Sequence, residues 1–283
     1  MNSVIAIILY GKEFSSSLTL SNLMKVKFNS AHLAIINNGP VSIAFDYLYE
    51  ELEKKFITVT FYEYLENRSL AEIYNLVIRN FSKFDRYILF DDDTNVTDSF
   101  FEDMLTSYNE NIDLQLPRII DSEQNLTHYP QCNGKVSNNS IPYIFNDSQK
   151  IISIGSGLVI YKKLIDLFRK EHLTLFDERY ALYGVDYSFF RRIEKIKKRN
   201  KICIQMFSVM EHSLSKTNLT YSDWRHREHL YDYAISCRFY SKSVIHMFLG
   251  MTRCLLKEIL ASRFHNLTLI ISTFFKGRHP RCH

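Results

Sequence analysis

The stretch Tyr87-Ile-Leu-Phe-Asp91-Asp92-Asp93-Thr94 decides how the rest of the chain is read. β-Branched and aromatic residues over 86–90 mark a buried strand, and three carboxylates end it abruptly. Open α/β sheets bind their ligands at the carboxyl ends of strands, so acidic groups there stand where chemistry is expected. Two carboxylates separated by one residue can share a hard divalent cation while a substrate diphosphate supplies further oxygens. The competing use of the same run is an acidic turn capping a helix that begins near Thr97 or Asp98.

Working outward, strand-like segments at 3–9, 31–37, 56–62 and about 112–116 alternate with helical periodicity at 41–55 and 69–82. Ile43, Tyr47, Leu48 and Leu52 line one face of the first of these, and Leu70, Ile73, Leu76 and Val77 line one face of the second. This alternation predicts a mostly parallel, doubly wound α/β sheet with its crevice on the carboxyl edge. Residues 121–150 are polar and rich in Asn, Ser and Pro, which predicts a long lid or substrate loop. Order resumes at 151–160 around Gly155-Ser156-Gly157, then come a helix at 162–170, an acidic loop at 177–186 and a basic helix at 187–199. A strand at 201–207 leads to Glu211-His212-Ser213, and beyond about 216 the chain is helical and basic.

The composition excludes several classes. With 283 residues, 46% hydrophobic and 14% aromatic, the chain can bury one large core and is not disordered. A net charge of +4 with no interleaved basic and aromatic stripe argues for no nucleic acid partner. Met1–Tyr10 reads as a first core strand rather than a signal peptide, and no run reaches the roughly 18 apolar residues of a spanning helix. The five cysteines (132, 203, 237, 254, 282) lack metal-ligand spacing, so a reduced, cytoplasmic setting is expected.

Four features stand in order: Asn37-Asn-Gly39, Asp91-Asp-Asp93, Tyr183-Gly-Val-Asp186 and His212. In motif order and spacing the chain resembles the inverting glycosyltransferases of family 2, which have the GT-A fold. Among these it most resembles bacterial rhamnosyltransferase-like enzymes of O-antigen, lipopolysaccharide and capsule biosynthesis. Residue by residue, Asn37-Asn38-Gly39-Pro40 matches the family's base-contacting Asp-Asn-Gly-Ser turn, with Asn37 in place of Asp. Glu66-Asn67-Arg68-Ser69 and Asn75 match its Glu-Asn-x-Gly stretch and the helix Asn that follows.

Asp91-Asp92-Asp93 matches the DXD motif: the resemblance implies Asp91 and Asp92 at the nucleotide-sugar, and Asp93 on the metal. Tyr10, at the end of the first strand, and Arg192, six residues past Asp186, join the implied donor contacts. Gly155, Ser156 and Gly157 fall on the implied acceptor side. Phe176-Asp-Glu-Arg-Tyr-Ala-Leu-Tyr-Gly-Val-Asp186 resembles the signature that carries the catalytic base, here Asp186. Glu211-His212-Ser-Leu-Ser215 resembles a late element whose His completes the metal shell, and Phe275-Lys-Gly-Arg278 matches a common tail. The implied activity is metal-dependent sugar transfer from dTDP-rhamnose, or next a UDP-hexose, to a lipid-linked oligosaccharide.

The chemistry is consistent with these residue types. Mn²⁺ or Mg²⁺ suits a carboxylate such as Asp93, and one imidazole is tolerable for Mn²⁺. A general-base carboxylate within reach of the acceptor hydroxyl contributes about 10²–10⁴-fold. Each residue also has a plainer use: Asp186 as an N-cap of helix 187–199, His212 as a partly buried loop histidine, and Arg191 to Arg199 as a solvated basic face. A nucleotidyltransferase would share the sheet and the carboxylates but would need a Gly-rich phosphate loop, where only Gly11-Lys12 stands. An inactive membrane-attached sugar-binding module is the remaining alternative.

The domain reading is a catalytic unit over 1–215, with a nucleotide-sugar half to about 95 and an acceptor half after it, and a helical region over 216–283. In that region Val244, Ile245, Phe248, Leu249, Leu255, Leu256, Ile259 and Leu260 recur at helical spacing, accompanied by Arg253, Lys257, Arg263, Lys276, Arg278 and Arg281. Such a basic amphipathic helix can lie on an anionic membrane, which predicts a peripheral protein on the inner face of the cytoplasmic membrane. Packing on the catalytic unit or a homo-oligomer interface are its other uses.

Overall fold

Ser3–Leu9 (β1) is buried at all seven positions, and its side chains alternate between two cores. Val4, Ala6 and Ile8 face one, and Ile5, Ile7 and Leu9 face the other. A parallel strand covered on both faces reads as an unbroken apolar run. In the computed structural model, which describes residues 1–121, 125–212 and 222–282, β1 is central to a ten-stranded sheet. It pairs in parallel with β2 (His32–Asn37), which pairs in parallel with β3 (Thr58–Glu63). On its other edge it pairs in parallel with β4 (Arg86–Asp91). The connecting helices are α1 (Leu18–Lys25), α2 (Tyr47–Lys55) and α3 (Leu70–Asn80).

Two helical expectations change. α1 has no counterpart in the sequence reading. Its N-cap Ser17 accepts from Leu20 N at 3.2 Å. α2 starts only at Tyr47, capped by Asp46, and Tyr47 is 75% exposed whereas Leu52 is fully buried. The apolar face therefore does not include Tyr47.

Beyond β4 the chain forms β5 (Thr94–Asn95), α4 (Asp98–Thr106) and β6 (Leu114–Asp121). The expected 121–150 loop contains short strands instead: β7 (Thr127–Tyr129), β8 (Gln131–Cys132), β9 (Lys135–Val136) and β10 (Tyr143–Ile144). β8 lies between β9 and β11 (Ile151–Ile152) in a small second sheet. Strands of two or three residues leave too little periodicity to read. Then follow β12 (Leu158–Tyr161), α5 (Lys162–Lys170), α6 (Val185–Lys197) and β13 (Ile204–His212), which runs five residues past the expected end. The main path is β10-β13-β6-β12-β4-β1-β2-β3. β12 runs antiparallel to both β4 and β6, so the long strands β1–β4, β6 and β13 all point one way. The chain leaves β3 and returns on the far side of β1 as β4, and that reversal opens a crevice at the carboxyl ends.

Among the described residues the expected helical region after 216 contains three helices: α7 (Asp223–Tyr240), α8 (Val244–Leu260) and α9 (His265–Lys276). They enclose a small core of Leu230, Ala234, Cys237, Met251, Cys254 and Ile270. α7 docks on the larger sheet-and-helix core: Ile235 joins it, and the Tyr240 hydroxyl donates to Asp177 at 2.6 Å. Among the described residues no helix is long and apolar enough to cross a membrane, and all five cysteines are free thiols.

Candidate active site

The register of β4, β5 and β13 assembles the centre of the site. Asp91 ends β4, Asp92 and Asp93 form the turn, and β5 pairs with β13 so that Thr94 lies opposite His212. The turn is held from below. Thr19 Oγ1 donates to Asp91 O at 2.5 Å and accepts from Thr94 N at 2.9 Å. Ser156 Oγ accepts from Asp91 N at 3.2 Å and bonds Thr94 Oγ1 at 2.6 Å. Ser156 is thus a strut beneath the carboxylates. It does not line the crevice, contrary to its expected acceptor-side place.

His212 Nε2 is 3.4 Å from Asp91 Oδ2, and His212 Nδ1 is 3.5 Å from Asp93 Oδ1. One ligand atom from each of Asp91, Asp93 and His212 falls within 4.8 Å of the others. His212 Nδ1 is buried without a hydrogen-bond partner, which fits a ring nitrogen kept for a ligand. Two carboxylate oxygens and an imidazole nitrogen form a donor set that could hold a divalent cation. The resemblance implied Asp93 and His212 as metal ligands, and the geometry groups Asp91 with them. Burial opposes the imidazolium, but hydrogen bonding to Asp91 and the charges of Asp91, Asp93 and Asp186 prevail and raise the His212 pKa. Burial raises the Asp93 pKa, with the His212 charge acting against it. Asp92 is likewise raised by burial although Lys12 Nζ lies 2.7 Å from its Oδ1. That ion pair also engages the one cation of the Gly11-Lys12 turn.

Asp186 occupies the first turn of α6, and Gly184, at φ 82°, is the N-cap. The plain N-cap use of Asp186 therefore does not apply. A Cβ on Gly184 would meet Asp232 Oδ1 at 2.3 Å and the Tyr180 ring at 2.5 Å, so glycine is required both by conformation and by space. Asp186 Oδ1 lies against Gly155, where an added Cβ would be 2.7 Å away. The Tyr74 hydroxyl would be 3.5 Å from the same point. Burial, then the charges of Asp91 and Asp186, raise the Tyr74 pKa well above its ordinary value, so it remains a neutral phenol.

A crevice of about 410 Å³ joins these groups. Of the expected residues, Tyr10, Asn67, Asp91, Asp92, Asp93, Gly155, Asp186 and His212 line it. Asn37 does not. Its amide donates to Val41 O at 2.7 Å and Glu63 Oε2 at 2.9 Å, and its Oδ1 accepts from Gly39 N, so it braces the turn while Asn38 lines the crevice. Asn75 points away and clamps Phe176 O and Glu178 Oε1, both at 2.9 Å, whereas its neighbour Tyr74 lines the crevice. Arg192 pairs with buried Asp177 at 3.1 Å and with Thr174, outside the crevice. Gly157, at φ 81°, packs on Pro117 and Met210 and serves the strand bend. Ser213 to Ser215 of the His-Ser element lie outside the described residues.

Sequence reasoning missed Asn38, Tyr74, Tyr129, Tyr187, Trp224 and Arg281 at the crevice. Tyr74 shares a helical face with the apolar residues of α3 and so reads as core. Tyr129 and Tyr187, whose hydroxyls are 2.8 Å apart, come from segments 58 positions apart.

No protein-family profile matches the chain, and no curated protein matches it in sequence. Solved structures do match. S. aureus TarS 1-349 in complex with UDP-GlcNAc aligns at TM-score 0.56 and 13% identity over 98% of this chain and 79% of that one. GalNAc-T7 with UDP, GalNAc and Mn²⁺ aligns at 0.53 and 11% over 94% of this chain and 58% of that one. The fold is GT-A. The longer S. aureus TarS chain aligns at 0.55 and 13% identity over 95% of this chain, which spans 43% of TarS. The strand order around the β1–β4 reversal places the acidic turn after β4 at the carboxyl edge of this sheet.

Proposed function

We propose that this protein is a metal-dependent inverting glycosyltransferase of the family 2 type, with Asp186 as general base. The observation that carries the reading is the convergence of Asp91, Asp93 and His212 with Asp186 on one crevice at the β1–β4 reversal. Asp91, Asp93 and His212 would hold a divalent cation, which when bound neutralises charge developing on the leaving diphosphate. Tyr10, Asn38 and Asn67 border the nucleotide side of the crevice, at the carboxyl ends of β1 and β2 and before α3. Gly155 leaves room for the Asp186 carboxylate, and buried Tyr74 lines the same crevice near both carboxylates. Asp186 takes the proton of the acceptor hydroxyl as that oxygen bonds to the anomeric carbon. The bond from that carbon to the diphosphate breaks on the opposite face, inverting the centre and releasing the nucleoside diphosphate.

The expected donors are dTDP-rhamnose and UDP-hexoses, and the UDP-GlcNAc and UDP bound by TarS make UDP-sugars the first to test. The expected acceptor is a lipid-linked saccharide of a surface polysaccharide. The exposed face of α8 supports a membrane-adjacent setting: Val244, Ile245, Phe248 and Leu249 are each at least 60% exposed, with Arg253 and Lys257 also exposed on α8. Removing everything after 240 would also take away crevice-lining Arg281, so substitutions on α8 are the cleaner test. Phe248→Ser with Leu249→Ser should abolish sedimentation with phosphatidylglycerol vesicles, and unchanged sedimentation would refute membrane docking. For the catalytic reading, the test is calorimetry with dTDP, UDP and GDP, each with and without Mn²⁺. Tight, Mn²⁺-dependent binding of one nucleotide is expected, and no binding of any would overturn the proposal.

A further inference from the structure

The crevice carries Asp91, Asp92, Asp93 and Asp186, and among its described lining residues Arg281 is the single lysine or arginine. A nucleoside diphosphate entering it brings more negative charge, so the position of that guanidinium decides how the charge is met. Arg281 follows α9 on a segment that doubles back. Gly277, at φ 74°, turns the chain off the helix, and His279 N donates to Arg179 O at 2.9 Å. His279 Nε2 lies 3.3 Å from Glu228 Oε2, and Cys282 is buried.

Arg281 is held at both ends of its fork. Nη1 donates to Asn67 Oδ1 at 2.8 Å, and Nη2 donates to Glu228 Oε2 at 3.1 Å. The Glu228 side chain is only 8% exposed, and burial acts against its charge, but His279 and Arg281 outweigh that and lower its pKa. Asn67, at φ 52°, also reaches the Tyr10 hydroxyl and Asn38 Nδ2, each at 3.4 Å. Arg281 is thereby tied to the nucleotide half of the crevice. A guanidinium offers five donors in a planar fork, and these two contacts use two of them. The remainder suit the two oxygens of a phosphate, which a guanidinium grips better than an ammonium does.

We infer that Arg281 is a donor-binding residue whose guanidinium grips the diphosphate of the nucleotide-sugar, so that the segment after α9 completes the donor site. This rests on the nucleotide-sugar reading above. The test is calorimetry, in Mn²⁺, of the nucleoside diphosphate that the wild type binds best among UDP, GDP and dTDP, and of its parent nucleoside. Charge-assisted hydrogen bonds of this kind correspond to about a 10- to 100-fold change in Kd. R281A should lose that much affinity for the diphosphate and none for the nucleoside. R281K, which keeps a cation beside Glu228, should fold as the wild type does and recover only part of the loss. Equal diphosphate affinity in wild type and R281A, or in wild type and R281K, would overturn the inference while leaving the catalytic reading intact. A wild type that binds none of the three nucleotides would overturn both.

Discussion

Replacing Gly155 by alanine separates a catalytic role of Asp186 from a structural one. Gly155 has an ordinary backbone conformation, so alanine costs nothing in φ and should gain about 0.4–1 kcal/mol by restricting the unfolded chain. Its new Cβ, however, would stand 2.7 Å from Asp186 Oδ1 and 3.4 Å from Cγ. To reach ordinary contact near 3.4 Å, the carboxylate oxygen must retreat by roughly 0.7 Å. α6 cannot slide away to relieve this, because its N-cap Gly184 is packed against Asp232 and Tyr180. The carboxylate must therefore rotate out of its place. Misplacement of about 1 Å at a reacting group costs on the order of 10²-fold in rate, which is roughly 2.7 kcal/mol of barrier. The assay is the initial rate of nucleoside diphosphate release with the best donor and acceptor, beside a thermal melt and a nucleotide titration. Gly155→Ala should turn over about 10- to 100-fold more slowly with Tm and nucleotide affinity maintained. Turnover within threefold of wild type with an unchanged Tm would refute the argument that Asp186 acts from this position.

Three further outcomes are expected. Asp186→Asn keeps the shape but cannot accept a proton at neutral pH, so it should bind donor and metal normally and lose about 10²–10⁴-fold in transfer rate; near-normal turnover would remove it from the base role. Asp93→Ala and His212→Ala should each weaken Mn²⁺ binding, read by electron paramagnetic resonance of the free ion, and unchanged binding by both would relocate the metal. Asp177 is buried beneath Arg179, Arg192 and Tyr240, and although burial opposes its charge these partners hold its pKa below the ordinary carboxylate value. Its contribution to stability is therefore present above the unfolded pKa of about 3.9 and is lost as pH falls through the folded value. Asp177→Asn should destabilise by on the order of 3 kcal/mol at pH 7, and denaturant melts should show the gap from wild type narrowing below about pH 4; a gap independent of pH would show that the ion cluster contributes nothing.

Much of the first half of the sheet was legible because its signals are local. β1 and β4 are buried on both faces, so their side chains must be apolar on successive residues, and the carboxylates of Asp91–Asp93 interrupt that run where the strand leaves the core. Asp186 was legible through the pattern of residues around it, and its helix did form nearby. Local signals could also mislead. Asn37 and Asn75 have the right residue type at the right place in the chain, yet their amides satisfy backbone and side-chain groups inside the fold. Arg192 has the charge a diphosphate wants, but a buried carboxylate takes it first.

By itself the sequence determined the α/β alternation, the acidic turn at the end of the fourth strand and the residue types capable of holding a cation. Each depends on neighbours a few positions apart, through strand alternation, helical periodicity and capping. Only the tertiary structure decided which groups share the crevice. His212 meets Asp91 and Asp93 because β13 pairs with β5, a contact across more than a hundred residues. Tyr74 comes within reach of the charges of both Asp91 and Asp186 because α3 packs its apolar face on the sheet, and Arg281 reaches Asn67 across 214 positions because buried Glu228 and His279 hold its segment down. Such pairings are set by packing and by the need to partner buried charge, and neither leaves a periodic trace along the chain.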